Sequence, residues 1–223
     1  MPALVTLDAL GTLVFLEDPY GRLAEELSVP RDQARAALKA EMAYYREHHD
    51  IASDADGLAR LRHACTEVLR EALGGSALPH DELLAALLRA LRFRPYPEVP
   101  GVLRSLRAAG ATLVVVSNWD VSLHGVLEDT GLRGLLDAVL TSAEIGESKP
   151  GGAMFRAALE LAGAAPEESV HAGDSVEHDV AGALAAGMRA VLVDREGTAG
   201  RAGGIPAGVR VTRTLDLPSY SEP

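Results

Sequence analysis

The sequence predicts an α/β protein: a parallel sheet flanked by helices, with an all-helical domain inserted after the first strand. Two observations carry this. Short apolar runs, most of them rich in Val, Leu or Thr and too short for helices, alternate with stretches of helical periodicity. Residues from about 17 to 95 show no strand-like run, and their apolar residues recur at helical spacing. Alternating strands and helices imply βαβ units, and so a parallel sheet covered on both faces.

The elements can be taken in order. Residues 3–7 (ALVTL) form a first buried strand that Asp8 ends. The run Met1–Leu7 has no basic region before it, so it reads as a strand and not as a secretory signal. Within 17–94 the spacing predicts three or four helices. Leu58, Leu61, Cys65, Val68, Leu69 and Ala72 share one face, as do Leu83, Leu84, Leu87, Leu88 and Leu91. Pro30 and Ser53 or Asp54 are helix starts, and Gly74-Gly75 is a stop. The break at Phe93-Arg94-Pro95-Tyr96-Pro97 marks the return to the main domain. Further strands are expected at 112–116, 137–141, 169–172 and 189–193, with another stretch at 209–212 extending one edge. Helices lie between them at about 120–130, 151–162 and 176–186, and the Gly-rich stretch 196–208 is a loop. The division is therefore 1–16 with 95–223 as the sheet domain, and 17–94 as the helical insert.

Composition narrows the class. The chain has 223 residues, 21 Lys+Arg against 32 Asp+Glu, and a formal charge of −11. That balance argues against a nucleic-acid surface, whose affinity comes from neutralising phosphates. No apolar stretch reaches the ~18 residues of a membrane span. Cys65 is the only cysteine, so no intrachain disulfide forms and a reducing cytoplasm is the expected compartment. Only two of the basic residues are lysines, Lys39 and Lys149.

In open parallel sheets, ligands sit beyond the carboxyl ends of the strands. After the first strand comes Asp8-Ala9-Leu10-Gly11-Thr12, and after the second Ser117-Asn118. Beyond the third comes Ser148-Lys149-Pro150, and after the fourth Gly173-Asp174-Ser175, with Asp179 five residues beyond Asp174. A carboxylate at a strand end can attack phosphorus and split one hard step into two. Several carboxylates crowded beside a phosphate favour a hard divalent cation with oxygen ligands. A lysine in a chain that otherwise uses arginine suits a compact charge.

These four motifs, in order and spanning almost the whole chain, resemble the haloacid dehalogenase-like superfamily of hydrolases. The resemblance implies a Rossmann-like core with a helical cap, and Asp8 as nucleophile. It implies Mg²⁺ held by Asp8, the main-chain carbonyl of Leu10 and Asp174, with Asp179 as ligand or as partner to a ligand. Ser117, Asn118 and Lys149 would hold the phosphoryl group, and Thr12 would hold the strand-end turn. The expected substrate is a small phosphorylated metabolite, and the family is used both as monomer and as homodimer.

One departure stands out. The phosphatases of this superfamily carry a second aspartate, the general acid, where this chain has Leu10. General acid–base help is worth about 10²–10⁴ in rate. His48, His49 and His178 are the replacements that chemistry allows. Leu10 also suits two alternatives: a 2-haloacid dehalogenase-type hydrolase, which the Asp174/Asp179 pair argues against, or a catalytically weak ligand-binding or regulatory protein. A Schiff-base role for Lys39, as in phosphonoacetaldehyde hydrolases, fits less well than a solvated helix face. Arg22, Tyr44, Tyr45, Arg46, His48 and Trp119 are candidates for the cleft lining.

Overall fold

The computed structural model describes residues 2–198 and 204–217. The chain begins with β1 (Leu4–Leu7) and β2 (Val14–Leu16), then enters four helices: α1 (Pro19–Leu27), α2 (Arg31–His48), α3 (Ala55–Ala72) and α4 (His80–Ala90). It returns through β3 (Phe93–Pro95) and α5 (Val99–Ala108) to β4 (Thr112–Ser117), α6 (Leu123–Asp129) and β5 (Ala138–Thr141). Next come α7 (Ser142–Ile145), α8 (Ala153–Ala162) and β6 (Ser169–Gly173). A wide π-type turn over Val176–Val180 leads into α9 (Ala181–Ala185), and β7 (Arg189–Val193) and β8 (Arg210–Thr212) complete the described chain.

The six-stranded sheet has the order β5-β4-β1-β6-β7-β8, and every pairing is parallel. The chain fills one side of β1 first and then the other. β1 therefore lies at the topological switch point, where the crevice for a ligand opens. Its own register sets the site: Leu7 pairs with Val115 on β4 and with Ala172 on β6. The residues just beyond these three strands must emerge side by side.

β1 and β4 are buried along almost their whole length, as a sheet covered on both faces requires. One face packs Val5, Leu7, Val115 and Val170 against Leu103, Leu106, Leu123 and Leu127 of α5 and α6. The other packs Leu4, Val114, Val116 and Leu192 against Met154, Phe155 and Ala158 of α8 and Ala183 of α9. The four inserted helices have their own core, built from Leu23, Leu38, Leu61, Cys65, Leu69, Leu83 and Leu87. Burying one such leucine is worth about 1.5–3 kcal/mol, so each layer has ample driving force.

The helix starts obey the sequence signals. Pro30 precedes α2, and Asp54 caps α3 by accepting from Gly57 N at 2.7 Å. At the other end of α3, Gly74 and Gly75 take positive φ angles of 82° and 86°, closing it.

Three features differ from the sequence expectation. Phe93–Pro95, placed in a strand-free region, pairs antiparallel with β2 as a small separate sheet. Pro95 lacks an N–H and is tolerated because this pair is all edge. The sequence pattern does not announce α5, because Pro100-Gly101 looks like a break. Proline is in fact welcome in a first helical turn. The helix expected at about 120–130 starts later, at Leu123, because Asp120 Oδ1 accepts from Ser122 N at 2.6 Å and makes the preceding residues a turn. Of the loop expected at 196–208, residues 199–203 lie outside the described residues.

Candidate active site

Asp8 leaves β1 with its N–H bonded to Ala172 O at 2.9 Å. The chain then turns tightly. Gly11 N donates to Val14 O at 2.8 Å and Val14 N to Ala9 O at 2.9 Å, bonds that pass Leu10 by. Gly11 has φ 84°, and a Cβ there would lie 2.1 Å from Asp174 Oδ2. Only glycine lets this turn approach Asp174 so closely. Gly173 is constrained in the same way, since a Cβ would meet the Asp179 carboxyl carbon at 2.2 Å.

Lys149 lies at the centre of the site. It is 3% exposed, and Nζ donates to Asp8 Oδ1 at 2.7 Å, Asp179 Oδ1 at 2.6 Å and Val116 O at 2.8 Å. Ser117 Oγ donates to Asp8 Oδ1 at 2.9 Å. Asp8 is thus clamped through one oxygen, and Oδ2 makes no hydrogen bond to the described residues. Asp179 spends both oxygens: Oδ1 takes Lys149 and His171 Nε2 (3.0 Å), and Oδ2 takes Ser175 N (2.9 Å). The Asp174 carboxylate makes no hydrogen bond or ion pair with another described side chain.

The charges strain against one another. Burial pushes the Asp8 carboxyl up from its ordinary value, against the pull of Lys149. Burial, Asp8 and Asp179 together push Asp174 up to about 7. Burial also works against the charge on Asp179, but Lys149 and His171 outweigh it and hold this carboxyl well below the usual range. Burial opposes the charge on Lys149 too, and Asp179 and Asp8 overcome it, so the ammonium is kept.

The carboxylate oxygens of Asp8, Asp174 and Asp179 come within 4.8 Å of one another. Asp8 Oδ2, the Asp174 carboxylate and the Leu10 carbonyl are hard oxygen donors that no other described side chain occupies. They fit a Mg²⁺-type ion. Asp179 fits less well as a ligand, because its oxygens already orient Lys149 and the Ser175 turn.

The sequence candidates fall into three groups. Asp8, Leu10, Ser117, Asn118, Lys149, Asp174 and Asp179 all line one cavity of about 790 Å³. Asn118 does so while binding the main chain of Lys149: Oδ1 accepts from Lys149 N at 2.7 Å and Nδ2 donates to Lys149 O at 3.0 Å. It positions the lysine. Thr12 is a correction. Its hydroxyl is buried and bonded to nothing among the described residues. The turn is held from outside by Arg195, which donates to Gly11 O (3.0 Å) and Thr12 O (2.6 Å), pairs with Glu98 (2.7 Å) and stacks 3.4 Å over Tyr96.

Of the other cleft candidates, Tyr45, Arg46, Trp119 and His178 line the cavity, whereas Arg22, Lys39, Tyr44 and His48 do not. Arg22 is bonded to Arg89 O, and His48 stacks on Tyr44 with ring centroids 3.9 Å apart. His49 is buried outside the cavity. Its Nε2 lies 3.0 Å from Ser142 Oγ, which donates to Asp50 Oδ1 at 2.7 Å. Ser148 Oγ, next to Lys149, donates to Asp50 Oδ2 at 3.1 Å, so the insert is tied directly to the lysine loop.

Sequence reasoning misses Thr6 and His171. His171 Nδ1 lies 2.9 Å from Thr6 Oγ1, completing a buried chain Thr6–His171–Asp179–Lys149. A histidine inside the apolar run Ser169–Ala172, three residues before Asp174, is the available signal.

The family model of the haloacid dehalogenase-like hydrolases matches residues 2–187. The chain belongs to this family. It is 32% identical over 191 residues to a glyceraldehyde 3-phosphate phosphatase of Methanopyrus kandleri, covering 79% of each protein. It is 41% identical over 133 residues to a phosphoserine phosphatase of Thermus thermophilus, which is 57% of this chain and 53% of that protein. The match therefore spans only about half the length of the Thermus relative. A crystal structure of a dehalogenase, 22% identical, superposes with a TM-score of 0.73 over 96% of this chain and 94% of that one, a likeness of fold. No helix among the described residues is long and apolar enough to cross a membrane.

Proposed function

We propose that this hydrolase is a Mg²⁺-dependent phosphatase of small phosphorylated metabolites, working through an aspartyl-phosphate on Asp8. The observation that carries the reading is Asp174, an unpartnered carboxylate beside Asp8. A carbon-attacking hydrolase has no use for it, and a metal-assisted phosphoryl transfer does. The phosphatase relatives support the same reaction class.

The Asp8 carboxylate attacks phosphorus, and the P–O bond to the leaving group breaks. Lys149 pulls Asp8 toward its ionised form against the effect of burial and, with Ser117, fixes the carboxylate for attack. The same two residues face the phosphoryl oxygens, where a fixed cation and hydroxyl stabilise the charge of the transition state. Asp179, held by His171, keeps Lys149 aimed. Asp8, the Leu10 carbonyl and Asp174 would hold the Mg²⁺, which when bound neutralises the carboxylate–phosphate repulsion.

The helical insert acts as the cap that closes the cavity. Leu58, Leu61, Arg62 and Cys65 of α3 share one face, and all line it. Arg62 pairs with no carboxylate among the described residues, whereas Arg89 is held by Glu26 and Arg92 and Arg94 by Glu17. A free guanidinium on the cap wall suits leaving groups that carry a carboxylate of their own.

The test is phosphate release from aryl, acyl and sugar phosphates by purified protein with Mg²⁺. Release that depends on Mg²⁺ and disappears in Asp8→Asn is the expected result. No release from any substrate, or equal release by Asp8→Asn, overturns the reading. Leu10 favours one second reading, hydrolysis of a carbon–halogen bond. Halide release from 2-chloropropionate in EDTA would replace the first reading with it.

A further inference from the structure

α3 and α4 are joined by residues 73–79, and three side chains meet at that junction. His63 and Glu67 lie one turn apart on α3, where residues i and i+4 are neighbours. His80 is the first residue of α4. One ligand atom from each lies within 4.8 Å of the others. His80 Nδ1 is 2.8 Å from Glu67 Oε1, and His80 Nε2 is 3.2 Å from His63 Nδ1.

These contacts fix the hydrogens. An ionised carboxylate only accepts, so His80 carries its hydrogen on Nδ1. A neutral His80 then has its lone pair on Nε2, facing His63. The two rings are side by side, with centroids 4.3 Å apart and planes at 32°. A linear N–H···N bond between them would set the rings end to end. Two imidazoles on one metal ion sit side by side.

We propose that His63 Nδ1 and His80 Nε2 bind a transition-metal ion of the Zn²⁺ type, with Glu67 orienting His80 from behind, at a site in the helical insert distinct from the Asp8 carboxylates. Zn–N bonds of about 2.0–2.1 Å in a tetrahedral site put two ligand nitrogens about 3.3 Å apart. The 3.2 Å seen here is close to that separation, and a swing of the two rings that opens their centroids from 4.3 Å to about 5.2 Å would admit the ion. A histidine that ligates a metal usually gives its other N–H to a carboxylate, as His80 does to Glu67. Nitrogen donors separate this site from the all-oxygen set around Asp8 and direct it to a softer metal.

His63 is exposed, so water or a small anion can complete the coordination. Loading requires the His63 hydrogen on Nε2, which leaves the Nδ1 lone pair for the metal. Arg70, the cation in contact with Glu67, is already committed. Nε lies 3.2 Å from Glu67 Oε2, and Nη1 donates to Ser76 O at 2.6 Å and Leu78 O at 2.7 Å. Both bridged helices line the cavity, α3 through Leu61 and Arg62 and α4 through Leu87 and Leu88. An ion there staples two walls of the cleft together.

The test uses the full chain, stripped with EDTA, in an Asp174→Asn background that disables the carboxylate site. Titration calorimetry with Zn²⁺ is expected to show one ion per chain. His63→Ala or His80→Ala should weaken it at least tenfold, and Glu67→Gln about 10–100-fold, the usual effect of removing such a partner. Cu²⁺ in the same background should give an electron paramagnetic resonance spectrum with nitrogen splitting, lost in His63→Ala. Melting followed by circular dichroism verifies that each variant is folded, and His63→Gln replaces any that is not. No Zn²⁺ bound in the Asp174→Asn background, or binding unchanged in the folded His63 variants, overturns the proposal.

Discussion

Restoring a carboxyl at Leu10 tests the chemistry most directly. Leu10 lies two residues beyond Asp8, lines the same cavity and is 41% exposed, so Leu10→Asp displaces no core packing. The turn's hydrogen bonds pass this residue by, so the backbone tolerates the exchange. The new carboxyl would join Asp8 and Asp174, whose mutual repulsion already helps burial lift Asp174 to about 7. The same repulsion shifts the newcomer toward the protonated form that a general acid requires. Positioned proton transfer is worth about 10²–10⁴, or roughly 3–5 kcal/mol of barrier. The assay is steady-state phosphate release with Mg²⁺ from an alkyl phosphate and from p-nitrophenyl phosphate. Turnover of the alkyl ester should rise by about 10²-fold or more. The aryl ester, whose leaving group departs without protonation, should change far less. If the wild type hydrolyses the aryl ester and the substitution leaves the alkyl ester unimproved, Leu10 is not what limits the enzyme, and a missing general acid does not explain its chemistry.

Lys149→Met leaves two buried carboxylates facing each other without their cation, which costs about 3–5 kcal/mol of stability. Turnover should fall by about 10²–10³. Chemical denaturation and phosphate release measure the two losses, and a small kinetic loss would make the lysine purely structural. Arg62→Ala should raise KM about tenfold or more for phosphate esters that bear a carboxylate, and little for neutral ones, since a charged hydrogen bond contributes about 1.5–3 kcal/mol. Equal effects on both would refute its role in selection. Without metal, stability should fall as pH rises from about 4 to about 7. Burial lifts Asp174 and Glu41 to about 7 in the folded chain and raises Asp8 as well, so above the unfolded values and up to about 7 the native state holds the extra protons. Asp179 has the opposite sign, but its contribution is lost only at lower pH, below its unfolded value. Thermal melts in EDTA at the two ends of the window read the slope. Mg²⁺ should flatten the part due to Asp174 and Asp8, and Glu41→Gln the part due to Glu41.

The sheet and its four motif-bearing strand ends are legible in the sequence because a parallel sheet imposes them. Each strand is a short apolar run, and the residues after it emerge at one edge. Side-chain partnership cannot be read in the same way. The spacing of Asp174 and Asp179 is equally consistent with two ligands or with one ligand and one orienting group. The hydrogen bonds separate the two, with both oxygens of Asp179 in use by other residues and the Asp174 carboxylate bonded to no other described side chain. Thr6 and His171 escape notice for a related reason. They meet because β1 and β6 pair in a register that sets residue 6 against residue 171, and no local pattern encodes a register between strands so far apart in sequence. α5 and β3 are hidden because their prolines mislead unless their places are known, one in a first helical turn and one on an edge strand.

Leu10 also bears on which substrates suit the site. A Cβ at residue 173 would collide with the Asp179 carboxyl, and one at residue 11 would meet Asp174 in addition to the strain of its positive φ. Both glycines remain, Lys149 stays buried among three acceptors, and Arg195 still braces the turn. On the proposed reading, the group that Leu10 replaces is the one that would protonate a poor leaving group. A site that forms the aspartyl-phosphate without that acid would be matched to substrates whose leaving group is already stable as an anion. Acyl and aryl phosphates are such substrates, and they should be turned over best by the unmodified chain.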